Sequence, residues 1–235
     1  MKKVFVLIAT LVTAGFITAC SLCVSVLRAT QTVSAFEDGG LTVVVDAGHG
    51  GIDGGVSGRK SGVKESDLNL AIAYCLKTEL EDIGFEVVLT RKTEGGLYGT
   101  PTKGFKKRDM QRRKEISQGA NADFLISVHQ NYYSSKAVRG GQVFYGKANP
   151  FGESFAQCVQ GKLNALYAEK GVSARKITAG EFFMLECAPC PSLIVECGFL
   201  SNTQDEELLL TESWKGKLAK AIASGLTEYL SSYSG

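Results

Sequence analysis

Histidine is scarce in this chain: 235 residues hold two, His49 and His129, with one tryptophan, three methionines and four prolines. Any imidazole chemistry must run through those two positions. Net charge is nearly missing too, since 26 Lys and Arg against 24 Asp and Glu leave +2. No polyanionic partner is indicated by that balance, and nucleic acid is not suggested. Internal repeats and low-complexity tracts are absent, which excludes stacked-repeat architectures. What is present is ordinary: 44% hydrophobic and 21% charged residues, room for one sizeable core. Few prolines beside 27 glycines suggest α/β packing with tight turns.

The N-terminus is a separate object. Lys2 and Lys3 precede an almost uninterrupted apolar run from Val4 to Leu27, with Arg28 after it. A basic start before a long apolar segment is an export signal. Three fates compete: an uncleaved span, which needs ~20 residues; cleavage after Val33-Ser34-Ala35; and a lipoprotein box, Ile17-Thr18-Ala19-Cys20. The run continues well past Cys20, which favours the uncleaved anchor. Residues 1–36 are thus a signal or membrane-anchor segment, and the body beyond it is expected outside the cytoplasm.

The body alternates between strand-like and helix-like stretches. Leu41 to Val45 and Phe85 to Thr90 read as strands, as do Asp123 to Val128, Gly141 to Tyr145, Phe182 to Leu185 and Ser192 to Val195. Ser66 or Asp67 is a good N-cap for a helix with Leu68, Ile72, Leu76 and Leu80 on one face, ended by Gly84. Residues 92 to 107 read as a long surface loop before a basic helix, Arg108 to Gln118. Further helices are expected over Phe151 to Ala168, near Gln204 to Leu210, and over Ser213 to Leu230. The pattern predicts a single α/β domain whose twisted, mostly parallel sheet is flanked by helices on both faces. In such sheets ligands bind beyond the carboxyl ends of the strands.

That rule gathers the candidate site. In LTVVVDAGHGGIDGG (41 to 55) a buried strand breaks into a glycine-rich turn carrying His49. His129 follows the strand FLISV, and Glu196 follows SLIV, too polar for its apolar neighbours without a role. Glu65 lies just before the first helix, whose N-terminus points to the same sheet edge. Two imidazoles and one carboxylate around an open position is the ligand set of catalytic zinc. A second carboxylate nearby would serve as general base and then general acid. Spacing alone does not say which carboxylate does which, because the gaps match no compact metal motif.

VVVDAGHGG, KESDLNLAIA, ADFLISVHQN and PSLIVECGFLSN, taken in order and spacing, resemble the zinc-dependent N-acetylmuramoyl-L-alanine amidases of the amidase-3 type. The resemblance covers nearly the whole body, so residues 37–235 are expected to be a zinc amidase catalytic domain. It implies that His49, Glu65 and His129 bind Zn²⁺ and that Glu196 is the catalytic carboxylate. The substrate implied is peptidoglycan, cut between N-acetylmuramic acid and L-alanine. Departures are mild: Ala47 stands where the family usually has proline, and Gln130 follows the second histidine.

The long loop and the TKGFKKRD segment also look like those of spore-cortex amidases, which remove stem peptides so that a deacetylase can form muramic-δ-lactam. That likeness implies functional pairing with a muramic acid deacetylase, a place facing the cell wall or the forespore intermembrane space, and the prospect of an activating partner protein. The basic run KGFKKRDMQRRK (103 to 114) is read as a solvated helix face, with contact to anionic wall polymer or a partner as the alternative.

Seven cysteines leave five in the body, an odd number for a disulfide framework. Cys187-Ala-Pro-Cys190 has redox spacing, yet it precedes a strand, whereas a thioredoxin-like dithiol opens a helix. Competing functions are therefore a membrane-tethered thiol oxidoreductase using that pair, a catalytically silent wall-binding or scaffold protein, and another zinc peptidase acting on stem peptides.

Overall fold

A computed structural model describes residues 40–233. The anchor expected over residues 1–36 lies outside the described residues, and among these no helix is long and apolar enough to cross a membrane. The sheet comprises β1 (Thr42–Ala47), β2 (Glu86–Leu89), β3 (Phe124–Asn131), β4 (Gln142–Gly146), β5 (Thr178–Gly180) and β6 (Ser192–Phe199). Their order is β2-β1-β3-β6-β4-β5. β1 pairs in parallel with β2 and β3, and β3 with β6; β4 runs antiparallel to β6 and carries β5 in parallel at the edge. The sheet is mostly parallel, as the alternating pattern predicts. The helices are α1 (Glu65–Ile83), α2 (Phe105–Gly119), α3 (Gly152–Ala168), α4 (Phe183–Cys187), α5 (Thr203–Leu209) and α6 (Glu212–Tyr233).

The continuous apolar runs of β1, β3 and β6 follow from burial on both faces. On one face Phe124 meets Phe155 of α3 and Tyr229 of α6, ring centroids 5.5 and 5.9 Å away. Leu68, Ile72, Leu76 and Leu80 of α1 are all buried, at the spacing read from the sequence. On the other face Val44 and Leu125 pack with Met184 and Cys190, and Met110 of α2 joins them. α1 ends as expected at Gly84, which takes the left-handed conformation at φ 105°. Its start is different: Lys64, not Ser66 or Asp67, is the N-cap, and Ser66 and Asp67 lie inside the first turn.

Phe182 to Leu185 is not a strand. It forms the short helix α4, with Leu185 and Glu186 donating backbone N–H bonds to Phe182 O. A four-residue apolar run has no period long enough to separate strand from helix. The burial is helical, since Met184 and Leu185 are inside while Phe182 and Phe183 are exposed. The strand of this region is β5, upstream. The basic helix also starts earlier than expected, at Phe105. Its buried residues, Asp109, Arg113 and Ser117, are polar and recur every four positions. α2 therefore turns a polar stripe inward and its other charges outward.

Candidate metal centre

Side chains alternate faces along a strand, so residues two apart share one. On the face under α2 and α4, the apolar pair Val44 and Leu125 gives way toward the carboxyl ends to Asp46, Ser127, His129 and Glu196. Asp46 lies in register with Ser127, and His129 with Glu196, on neighbouring strands. Beyond β1 the chain turns back onto β3, with Gly48 N–H donating to Val128 O at 3.1 Å. A Cβ at Gly48 would fall inside the His129 imidazole, so only glycine permits this approach. His49 then adopts φ 61°, a left-handed backbone uncommon outside glycine.

Glu65, at the start of α1, joins the two histidines. Its Oε1 lies 2.9 Å from His129 Nδ1 and 3.3 Å from His49 Nε2. Ligand atoms of His49, Glu65 and His129 all fall within 4.8 Å of one another. Gln130 N–H donates to Glu65 Oε1 at 3.1 Å and Val56 N–H to Oε2 at 2.9 Å, which fixes the carboxylate. Burial pushes the Glu65 pKa up, but hydrogen bonds and charge from His129 and His49 outweigh it and hold the carboxyl well below its usual range. Burial likewise opposes the charged form of His49, yet Glu65 and then Asp53 raise its pKa. Asp53 Oδ2 sits 3.2 Å from His49 Nδ1, on the side of the ring away from Glu65. A carboxylate there fixes the tautomer that leaves Nε2 free to bind a metal.

Glu196 is different in kind. Its Oε2 is buried and has no hydrogen-bond partner among the described residues. Burial pushes its pKa up to about 7, His129 pulling it down and Glu65 adding to the rise. The donor chemistry of the His49, Glu65 and His129 cluster fits Zn²⁺, and beside it stands a carboxyl poised between its acid and base forms.

The sequence reading missed what holds the His49 turn. Two buried arginines grip its carbonyls. Arg91, two residues beyond β2, donates from Nε to Ala47 O at 2.8 Å and from Nη2 to Gly48 O at 3.1 Å. Arg113 of α2 donates to Ala47 O at 2.7 Å and to His49 O. It also pairs with Asp46 and Asp109, each at 2.6 Å. Asn69 donates to Gly48 O and to Glu65 Oε1, at 3.1 and 3.4 Å. The one signal available was Asp46, a charge ending an apolar strand.

Asp46 makes the network pH-sensitive. Burial opposes its charge, but Arg113 and the hydroxyls of Ser127 and Thr90 win, lowering its pKa to about 2. The unfolded value is ~3.9. A depressed carboxyl stabilises the fold above the unfolded pKa, and that contribution drains away as pH falls from about 4 to about 2. Its size is roughly 2–3 kcal/mol. Thermal melts should show Asp46→Asn less stable than wild type at pH 7, with the gap narrowing below pH 4. A gap that stays constant across that window would contradict the linkage.

Cys187 and Cys190 give no support to a dithiol. Both are free thiols, Cys190 is buried in the cluster with Val44 and Leu125, and burial pushes both pKa values up. Reactive thiols are pushed the other way.

A family model described as N-acetylmuramoyl-L-alanine amidase matches residues 43–228. The germination-specific N-acetylmuramoyl-L-alanine amidase of Bacillus subtilis (strain 168) is 30% identical over 193 residues, 81% of this chain and 80% of that protein. The CwlD amidase from Clostridioides difficile, solved in complex with the GerS lipoprotein, matches at TM-score 0.77 and 33% identity, over 82% of this chain and 99% of that one. The N-acetylmuramoyl-L-alanine amidase from Clostridium difficile 630 matches at TM-score 0.71 and 29% identity, over 83% and 98% of the two chains.

Proposed function

The chain belongs to the N-acetylmuramoyl-L-alanine amidase family, and from that premise we propose that it cuts the muramoyl–L-alanine amide of peptidoglycan with His49, Glu65 and His129 holding Zn²⁺ and Glu196 moving the proton. The observation that carries this reading is the convergence of the three donors within 4.8 Å beside the unpartnered Glu196 carboxyl. Held by His49, Glu65 and His129, a zinc ion would supply Lewis acidity toward the carbonyl and would lower the pKa of water to ~7. The protein supplies the rest. Asp53 orients His49, and Val56 and Gln130 orient Glu65. Glu196 accepts a proton from the attacking water and returns it to the departing alanine nitrogen, a cycle suited to a carboxyl held near neutrality.

The biological setting proposed is spore-cortex maturation, where a muramic acid deacetylase would act on the stripped muramic acid to form the lactam. Likeness to the germination-specific relative supports it. Likeness to a chain solved with a lipoprotein supports a partner protein, and activation by that partner is part of the proposal. Export with membrane anchoring or lipidation through residues 1–36 belongs to the same proposal.

The deciding experiment is mass spectrometry of peptidoglycan incubated with the full-length, zinc-loaded chain. Stem peptides beginning with L-alanine and peptide-free muramic acid are expected, and a chelator should abolish both. His49→Ala and His129→Ala are expected to lose the metal itself, read by elemental analysis. Products cut within the stem peptide would replace the amidase with a peptidase.

A further inference from the structure

A cleft opens beside the metal centre, bounded by His49 and His129 and walled by Phe105, Met110, Phe182, Phe183 and Ile194. Two cations line it, Lys106 and Arg113. Arg113 is buried and committed to Asp46 and Asp109. Lys106 is not: its side chain is 68% exposed, and its one ion pair is a loose one, Nζ to Asp53 Oδ2 at 3.5 Å. That same oxygen lies 3.2 Å from His49 Nδ1, so the Asp53 charge is already engaged by the imidazole. The other carboxylates lining the cleft, Asp46 and Asp109, are engaged by Arg113. Lys106 is thus the cation of this wall with charge to spare.

Its position relative to the reacting bond follows from two short steps. The His49 imidazole touches Asp53, and Asp53 touches Lys106. Two extended residues of a bound peptide span ~7 Å. A peptide that left the centre along this wall would bring its second residue toward Lys106, in a cleft also lined by the apolar side chains of Phe182, Phe183 and Met110. The second residue of a peptidoglycan stem is a γ-linked glutamate, whose free α-carboxylate is in some walls converted to a carboxamide.

Resting on the amidase reading, we propose that Lys106 is a specificity residue that receives this α-carboxylate, so that stem peptides with a free carboxylate are preferred over the amidated form. A carboxamide of the same shape keeps the apolar contacts and loses the charge-assisted hydrogen bond, which is the stronger kind.

The test uses two batches of glycan strands that differ only in carboxylate or carboxamide at the second stem residue, with the full-length chain kept in solution by a mild detergent. Wild type should prefer the carboxylate by about five- to tenfold in kcat/KM, with the difference in KM. That scale suits a charged hydrogen bond from an exposed side chain that the bound peptide would partly cover. Lys106→Glu should invert the preference, and Lys106→Arg should retain it. Because each variant is read as a ratio of its own two rates, a change in metal content or folded fraction cancels. A ratio near one in wild type, or one that Lys106→Glu leaves unmoved, overturns the assignment while leaving the amidase standing. Products cut within the stem peptide, from either substrate, overturn the amidase reading, and this one with it.

Discussion

Glu196→Gln is expected to lower kcat by about 10³-fold, within the range found for loss of a general acid–base group. Glutamine keeps the shape of the side chain and its place in β6 but can neither take a proton from water nor give one to an amine. KM should change little, since in the proposed cycle the carboxyl acts on the proton rather than on the bound peptide. Metal content should not fall, because Glu196 makes none of the contacts that tie Glu65 to the two imidazoles. The same preparation therefore needs two readings, turnover on peptidoglycan and bound zinc by elemental analysis. An inactive, zinc-replete Glu196→Gln beside a zinc-poor His129→Ala separates the two roles. Turnover retained in Glu196→Gln would remove the carboxyl from the mechanism.

Much of this arrangement was legible in the sequence. The four-residue spacing of Leu68, Ile72, Leu76 and Leu80 gave α1 and its buried face, and the apolar runs before His49 and His129 gave two strands of a mostly parallel sheet; that they are neighbours came from the structure. With those strands parallel, both histidines had to arrive at one edge. Local patterns could not choose between Glu65 and Glu196 as the partner of the imidazoles; that distinction came from family likeness. Geometry now offers a physical distinction, since Glu65 Oε1 meets both rings whereas Glu196 Oε2 meets no partner. What stayed hidden depends on distant partners. The run 103 to 114 reads as solvated because its buried residues are polar; Arg113 is buried against Asp46 and the carbonyls of Ala47 and His49, and Asp109 against Arg113 and Leu97 N–H. Asp53 was not singled out, because its pairing with His49 Nδ1 at 3.2 Å exists only once the glycine-rich turn is folded. The Phe182–Leu185 run was too short for its period to decide, and it is a helix because Met184 and Leu185 have a core to enter.

Arg113→Lys tests whether that buried pairing serves the centre or only the fold. One guanidinium serves Asp46, Asp109, Ala47 O and His49 O at once. An ammonium is a point donor on a flexible stem and cannot reproduce the fork. Some acceptors must go unpaired, and Asp46 and Asp109 would share a weaker counter-charge. Removing a partner from a buried pair costs about 3–5 kcal/mol, and Arg113→Leu should approach that figure. For a domain of this size, each kcal/mol shifts Tm by roughly 2–4 °C. Arg113→Lys keeps the charge and should lose less in the melt, which makes it the informative variant. The carbonyl of His49, a residue held at φ 61°, would be released, and the imidazole would no longer be presented in one place. Groups that orient metal ligands typically contribute 10–100-fold to affinity. Zinc affinity in Arg113→Lys, measured by competition with a chromophoric chelator on the folded protein, should fall on that scale. Arg91 still grips Ala47 O and Gly48 O, so the turn should loosen rather than unfold. A lowered Tm with zinc affinity intact would make Arg113 a strut of the fold alone, and the His49 turn would then owe its shape to Arg91 and Asn69.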